Sequence, residues 1–147
     1  MHILRFLFLI ILLINVNSNT AFSKCSLLTT NYCPGNKSYK PKVFCSNPDG
    51  SSYEGYVNCS GEYEGRGKYT FSNGEKYIGQ FRASEMHGYG IAHFASGDRY
   101  EGNFHLDKRS GKGIIYYADG DKYDGLWLEG KKMEKEFIII MMEIIAN

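Results

Sequence analysis

The sequence lacks an excess of charge of either sign: 17 Lys and Arg face 16 Asp and Glu over 147 residues. That parity excludes a strongly cationic nucleic-acid binder and a polyacidic tail protein, and no nucleic-acid partner is expected. Proline is scarce, with three residues, and tryptophan occurs once. No apolar run reaches the roughly 20 residues that a membrane-spanning helix needs. Closely spaced cysteine pairs, the Gly-x-Ser-x-Gly nucleophile signature and the six-residue glycine fingerprint are all missing. What the sequence has instead is glycine, 17 residues, and tyrosine, 12, within a 43% hydrophobic composition. Such a chain can build a core, and its glycines and aromatics favour many tight turns and short strands over helices.

Met1 to Ser23 reads as a secretory signal. Arg5 precedes an apolar run from Phe6 to Ile14, and Ala21 and Ser23 make a small-x-small cleavage site before Lys24. The expected localisation is therefore secreted, lumenal or periplasmic. Residues 24–52 form a separate, mildly basic segment, read as a small disulfide-stapled cap on the sheet edge that follows. Cys25, Cys33, Cys45 and Cys59 all follow the cleavage site. Their gaps of 7, 11 and 13 residues do not fit zinc knuckles, so two disulfides are expected, with three connectivities open. Asn36 and Asn58 each open a glycosylation sequon.

A repeat governs residues 53–132. Tyr77, Tyr100 and Tyr123 stand 23 residues apart, and each opens a Tyr-x-Gly-x-aromatic phrase that ends on Phe81, Phe104 and Trp127. Gly88-Tyr89-Gly90 and Gly111-Lys112-Gly113 begin at repeat position 12. Phe94 and Tyr117 stand at position 18, and Ser96-Gly97 and Asp119-Gly120 at positions 20 and 21. An earlier copy opens at Tyr53 and carries one extra residue, so Gly65-Arg66-Gly67, Phe71 and Asn73-Gly74 arrive one place late. The units are 53–76, 77–99, 100–122 and a partial 123–132. Fifteen of the 17 glycines lie between Gly55 and Gly130, so the glycine bias belongs to the repeat.

Each unit reads as a hairpin. The Asn-Gly, Ser-Gly and Asp-Gly pairs predict two-residue turns, and the segments Arg82 to His87 and His105 to Ser110 predict polar loops between hairpins. Alternation along a strand puts Tyr, Gly and an aromatic on one face, where the glycine leaves room for a ring. One hairpin cannot bury its own aromatics, but stacked hairpins can.

This pattern closely resembles the MORN repeat (membrane occupation and recognition nexus) over residues 53 to about 130. The resemblance implies an all-β fold, an elongated single-layer antiparallel sheet of successive hairpins without a catalytic site of its own. It also implies binding to other proteins, dimerisation, or contact with anionic lipid.

The repeat breaks after Lys132. Positions 12 and 14 of the fourth copy hold Glu134 and Glu136 where glycine belongs, and an apolar run from Phe137 to Ile145 follows. Read from the third base of the Met133 codon, the coding sequence yields glycine at position 12. Met141, Met142 and Glu143 then force Asp-Gly at positions 20 and 21. Residues 133–147 therefore read as a frameshifted repeat; the alternatives are an amphipathic capping helix or a weakly membrane-associating tail.

The remaining chemistry is thin. His87, His93 and His105 occupy unrelated repeat positions, and acids such as Glu62, Glu64, Asp119, Asp121 and Asp124 read as solvent-facing. No enzyme activity, cofactor or metal is expected. The candidate binding residues are the repeat-face aromatics Tyr77, Phe81, Tyr100, Phe104, Tyr117, Tyr123 and Trp127. Lys108, Arg109 and Lys112, the densest basic cluster, are candidate contacts for an anionic membrane surface. The function expected is an exported scaffold for an unknown protein partner or for self-association. Peripheral lipid binding, or a role as the front end of a longer repeat protein, is the alternative.

Overall fold

The computed structural model describes residues 24–27 and 40–146. Apart from one C-terminal helix, the described residues are all-β. The strands are β1 (Lys24–Leu27), β2 (Lys42–Ser46), β3 (Ser52–Val57), β4 (Tyr63–Thr70), β5 (Lys76–Arg82), β6 (Glu85–His93), β7 (Arg99–His105), β8 (Lys108–Tyr116), β9 (Lys122–Leu128) and β10 (Lys131–Lys132). They pair in chain order into one open antiparallel sheet of ten strands. A helix, α1 (Lys135–Ala146), ends the chain. The signal-peptide reading, Cys33 and Asn36 lie outside the described residues.

The turns differ from expectation on both sides of the sheet. On one side, Phe94 N–H donates to the Asp98 carbonyl and Gly97 N–H to the Phe94 carbonyl, each at 3.0 Å. This closes a three-residue loop in which Gly97 alone takes positive φ, at 92°. It is a type I turn with a glycine bulge rather than the two-residue turn that Ser96-Gly97 suggests. The same pattern recurs at Gly74 and Gly120. On the other side, the expected polar loops are tight two-residue turns. Ala83 and Ser84, Leu106 and Asp107, and Glu129 and Gly130 all take positive φ, as type I′ geometry requires. Their residue types carry little of the Asn-Gly signal, which is why the sequence reads them as loops.

The first repeat's extra residue now has a place. Where later copies use a two-residue turn, the first uses a three-residue loop closed by Asn58 and Glu62, with Gly61 at φ 83°. Asn58 itself holds that turn: its Oδ1 accepts from the Ser60 and Glu62 N–H groups at 2.9 and 3.0 Å.

A cross-strand disulfide joins Cys25 of β1 to Cys45 of β2, which stand directly opposite each other. Cys59 is also disulfide-bonded. β1 and β2 therefore add two strands to the sheet, and β2 covers the edge of β3.

At the other end the array stops abruptly. β10 pairs with β9 at only two positions, Lys131↔Leu128 and Lys132↔Trp127. The residue that would stand opposite Gly125 is no longer glycine. A side chain there would collide with the Tyr123 ring, whose Oη already lies 2.5 Å from the site of a Gly125 Cβ. The chain leaves the sheet and forms α1, with Ile139, Ile140, Met142, Ile144 and Ile145 exposed. No helix among the described residues is long and apolar enough to cross a membrane.

Candidate functional site

The two glycines of each Gly-x-Gly phrase do different work. The first, represented by Gly88, takes φ 61° and makes a bulge that shifts the β5–β6 register between Gly79 and Gln80. The second lies on the inner face and joins a glycine row across the sheet, because Gly55, Gly67, Gly79, Gly90, Gly102, Gly113 and Gly125 are successive cross-strand partners. The position-1 tyrosine of each repeat lies flat on this row. A Cβ built on Gly79 would fall 2.4 Å from the Tyr77 Oη and 2.6 Å from the Gly90 Cα. The tyrosine hydroxyls then donate to the carbonyl three residues on: Tyr53 to Tyr56 at 2.7 Å, Tyr77 to Gln80 at 2.8 Å and Tyr100 to Asn103 at 3.0 Å. Tyr123 repeats the contact to Leu126 at 2.9 Å and adds one to Met133 at 3.0 Å.

The position-5 aromatics complete a continuous edge-to-face chain. Phe81 meets Tyr77, Phe104 meets both Tyr77 and Tyr100, and Trp127 meets Tyr100 and Tyr123, with ring centres 4.9 to 5.4 Å apart. Tyr77, Phe81, Tyr100, Phe104 and Trp127 are therefore core, with at most 5% exposure. Only Tyr117 and Tyr123 of the seven sequence-selected aromatics are partly open. Burial pushes the Tyr53 and Tyr77 hydroxyls well above the usual phenol range and Tyr100 up to about 12.

The surface that remains on the inner face comes from two further rows. Position 10 presents Tyr63, Met86, Arg109 and Lys132, and position 18 presents Phe71, Phe94 and Tyr117. Met86 and Phe71, with Phe94, Phe104, Tyr77 and Arg109, border a cavity of about 330 Å³. Along position 10 the row changes from apolar to cationic. The Arg109 guanidinium lies 4.1 Å from the Trp127 ring centre, and the Lys132 ammonium 4.7 Å from Tyr117. Sequence reading missed the position-10 row because its residue type varies from copy to copy.

The basic cluster is split by the strand. Arg109 faces inward, half-buried, and desolvation lowers its pKa. Lys108 pairs with Glu129 across the turn, and that hydrogen bond holds the Glu129 carboxyl below its ordinary value. Lys112 is exposed. The three do not form one patch. Elsewhere Lys40 pairs with Glu64 at 3.2 Å and Lys42 with Glu54 at 2.9 Å, so several exposed lysines are already matched.

The outer face carries Ile78 and Tyr89, about half exposed, bordering a shallow depression with Arg66 and Ile91. His87 and His105 come together there, ring centres 5.1 Å apart, because position 11 of one repeat neighbours position 6 of the next. Among the described residues no group of three metal-ligating side chains forms.

An open one-layer sheet of successive, similarly built hairpins, with aromatic rings stacked along one face, defines a repeat protein of the β-hairpin class. Residues 60–76, 77–99 and 100–122 each match the MORN repeat family model, so residues 60–122 are three consecutive MORN repeats. No curated protein matches the chain.

Proposed function

We propose that this chain is a non-enzymatic, exported scaffold that binds a protein partner or a second copy of itself. The observation that carries the reading is the unfinished C-terminal edge. The outer side of β9 has no strand partner over residues 122–125 among the described residues, although the repeat geometry up to that point is intact. An open strand edge with its backbone donors and acceptors unfilled is a template for another strand. Asp98 Oδ1 accepts from Ala118 N–H of the next repeat at 2.9 Å, and Glu75 Oε1 from Ala95 at 3.1 Å. Asp121 holds the corresponding place in the last repeat and faces no further hairpin. The same edge accommodates the reading that further repeats follow in a longer protein. Export rests on the signal-like Met1 to Ser23 segment and on the oxidised cysteines.

Peripheral binding to anionic lipid is the competing reading. The matched lysines and the inward Arg109 weigh against it, because a bilayer surface needs cations free and on one side. Sedimentation over a concentration series, without lipid, should show reversible self-association that an Asp124→Pro change weakens, because Asp124 shares the outward side of β9 with Leu126, whose carbonyl accepts from Met133 N–H. Salt-sensitive flotation with phosphatidylserine vesicles, and no self-association, would favour the lipid reading instead.

A further inference from the structure

Arg109 is a cation in an aromatic box. Its guanidinium carbon lies 4.1 Å from the Trp127 ring centre, 5.8 Å from Tyr100 and 5.9 Å from Phe94. One N–H of its fork, on Nη2, donates to the Gly130 carbonyl at 2.9 Å. No carboxylate pairs with it among the described residues. Two acids border the same cavity, but both are turned to backbone: Asp107 Oδ1 accepts from Met86 N–H at 2.8 Å, and Glu75 Oε1 accepts from Ala95 N–H. Lys108, also at the rim, is held by Glu129. A half-buried guanidinium with free donors and no counter-charge is an anion receptor in waiting.

The cavity beside it supplies the second half of the chemistry. Its 330 Å³ falls within the range of small-ligand sites, and Phe71, Met86, Phe94 and Phe104 make its wall apolar. The wall and the cation are close, since Phe94 is only 5.9 Å from the guanidinium. A ligand must therefore carry a bulky apolar group and an anion within about one residue's span. Adjacent residues of an extended peptide point to opposite faces and cannot supply both. A C-terminal residue can, because its side chain and its carboxylate share one Cα.

We propose that this cavity receives the C-terminal residue of a partner protein, with a large apolar side chain against Phe94 and Met86 and the terminal carboxylate forked onto Arg109. The inference rests on the protein-scaffold reading above and names the kind of partner it takes. Arg109 points inward rather than toward a flat surface, so a protein terminus suits it better than a lipid headgroup.

The test uses the full oxidised chain and its single tryptophan, Trp127, which sits under Arg109 and reports on it directly. The probe is the peptide acetyl-Gly-Ser-Gly-Leu-Phe with a free carboxylate, compared with its C-terminal amide. A third peptide, also amidated, carries a Glu before the Leu. The free acid should change Trp127 fluorescence saturably and bind at least about ten-fold more tightly than the amide, the weight of a charge-assisted forked pair. Arg109→Met should abolish that preference while leaving the circular dichroism spectrum unchanged, because Met86 fills the same repeat position one copy earlier. Calorimetry gives the affinities independently of the fluorescence. Arg109→Lys, which keeps the charge and loses the fork, should retain only part of the preference and serves if the Met variant does not fold.

Equal binding of acid and amide would overturn the proposal. So would a preference that survives Arg109→Met, or equal affinity for the internal-Glu amide. A response to phosphatidylserine vesicles with none to the free acid would overturn it in favour of lipid. If no peptide binds while the chain still self-associates in sedimentation, this inference fails and the scaffold reading stands; if neither occurs, both fail.

Discussion

Replacing Gly79 by alanine should destabilise the array, although alanine is ordinarily the better strand residue. The Cβ would lie 2.4 Å from the Tyr77 Oη and 2.6 Å from the Gly90 Cα, and the second of these is backbone that cannot swing away. Tyr77, at 0% exposure, has to leave its seat. Displacing a fully buried side chain of this size costs about 1.5–3 kcal/mol. Losing its 2.8 Å hydrogen bond to the Gln80 carbonyl costs about 1 kcal/mol more. Relief of glycine's backbone entropy returns about 0.5–1 kcal/mol. The net loss is about 1.5–3.5 kcal/mol, which moves a urea midpoint by about 1 M for a domain of this size. Trp127 fluorescence and far-UV circular dichroism should both follow the transition. Gly74→Ala is the control: nothing lies within 4 Å of its Cβ, and only the φ of 87° is strained, so it should cost about 1 kcal/mol. In a double-mutant cycle with Tyr77→Leu, the two changes should couple by at least about 1 kcal/mol. A Gly79→Ala midpoint within about 0.3 M of wild type would refute the claim that the glycine row exists to seat the tyrosines.

Alkaline pH should unfold the protein through its buried phenols. Tyr100 is pushed up to about 12 by burial, so the unfolded chain loses its proton first; stability is whole below about pH 10 and falls as pH rises toward 12. Absorbance at 295 nm should show the Tyr53, Tyr77 and Tyr100 class ionising late, together with loss of β signal. Converting both Cys25 and Cys45 to alanine removes a staple closing a 20-residue separation, which should cost about 3 kcal/mol and raise amide exchange in β1 and β2 while sparing β7 and β8. Leu106, exposed and at φ 48°, is a poor residue for its turn; Leu106→Asn should stabilise by about 0.5–1 kcal/mol in the same urea assay.

Much of the site was legible residue by residue, and the omissions share a cause. Tyr77, Phe81, Tyr100, Phe104 and Trp127 were visible because the array cannot form without them, and for that reason they are buried. Met86, Arg109 and Lys132 were invisible as a row because the sheet tolerates any of them at that position. The turn pairs Ala83-Ser84 and Leu106-Asp107 were hidden because their left-handed backbone is imposed by the hairpins they join, not by their own preference. The cluster Lys108, Arg109, Lys112 looked continuous in one dimension, and strand alternation with the Gly111 bulge separated it.

The sequence by itself determined the repeat length, the all-β class, the glycine seats and the cysteine-bearing cap, because each depends on local spacing and on which residue can stand at a given place. Its break at Glu134 and Glu136 was also visible, since position 12 takes a left-handed backbone and only glycine at position 14 leaves room for the tyrosine ring. Tertiary structure alone decided which disulfide closes β1 onto β2, how the turns close, which aromatics are core, and where the unpaired Arg109 meets an apolar cavity. Those outcomes depend on residues far apart in sequence, such as Phe94, Arg109 and Trp127, being brought within a few ångströms by strand pairing.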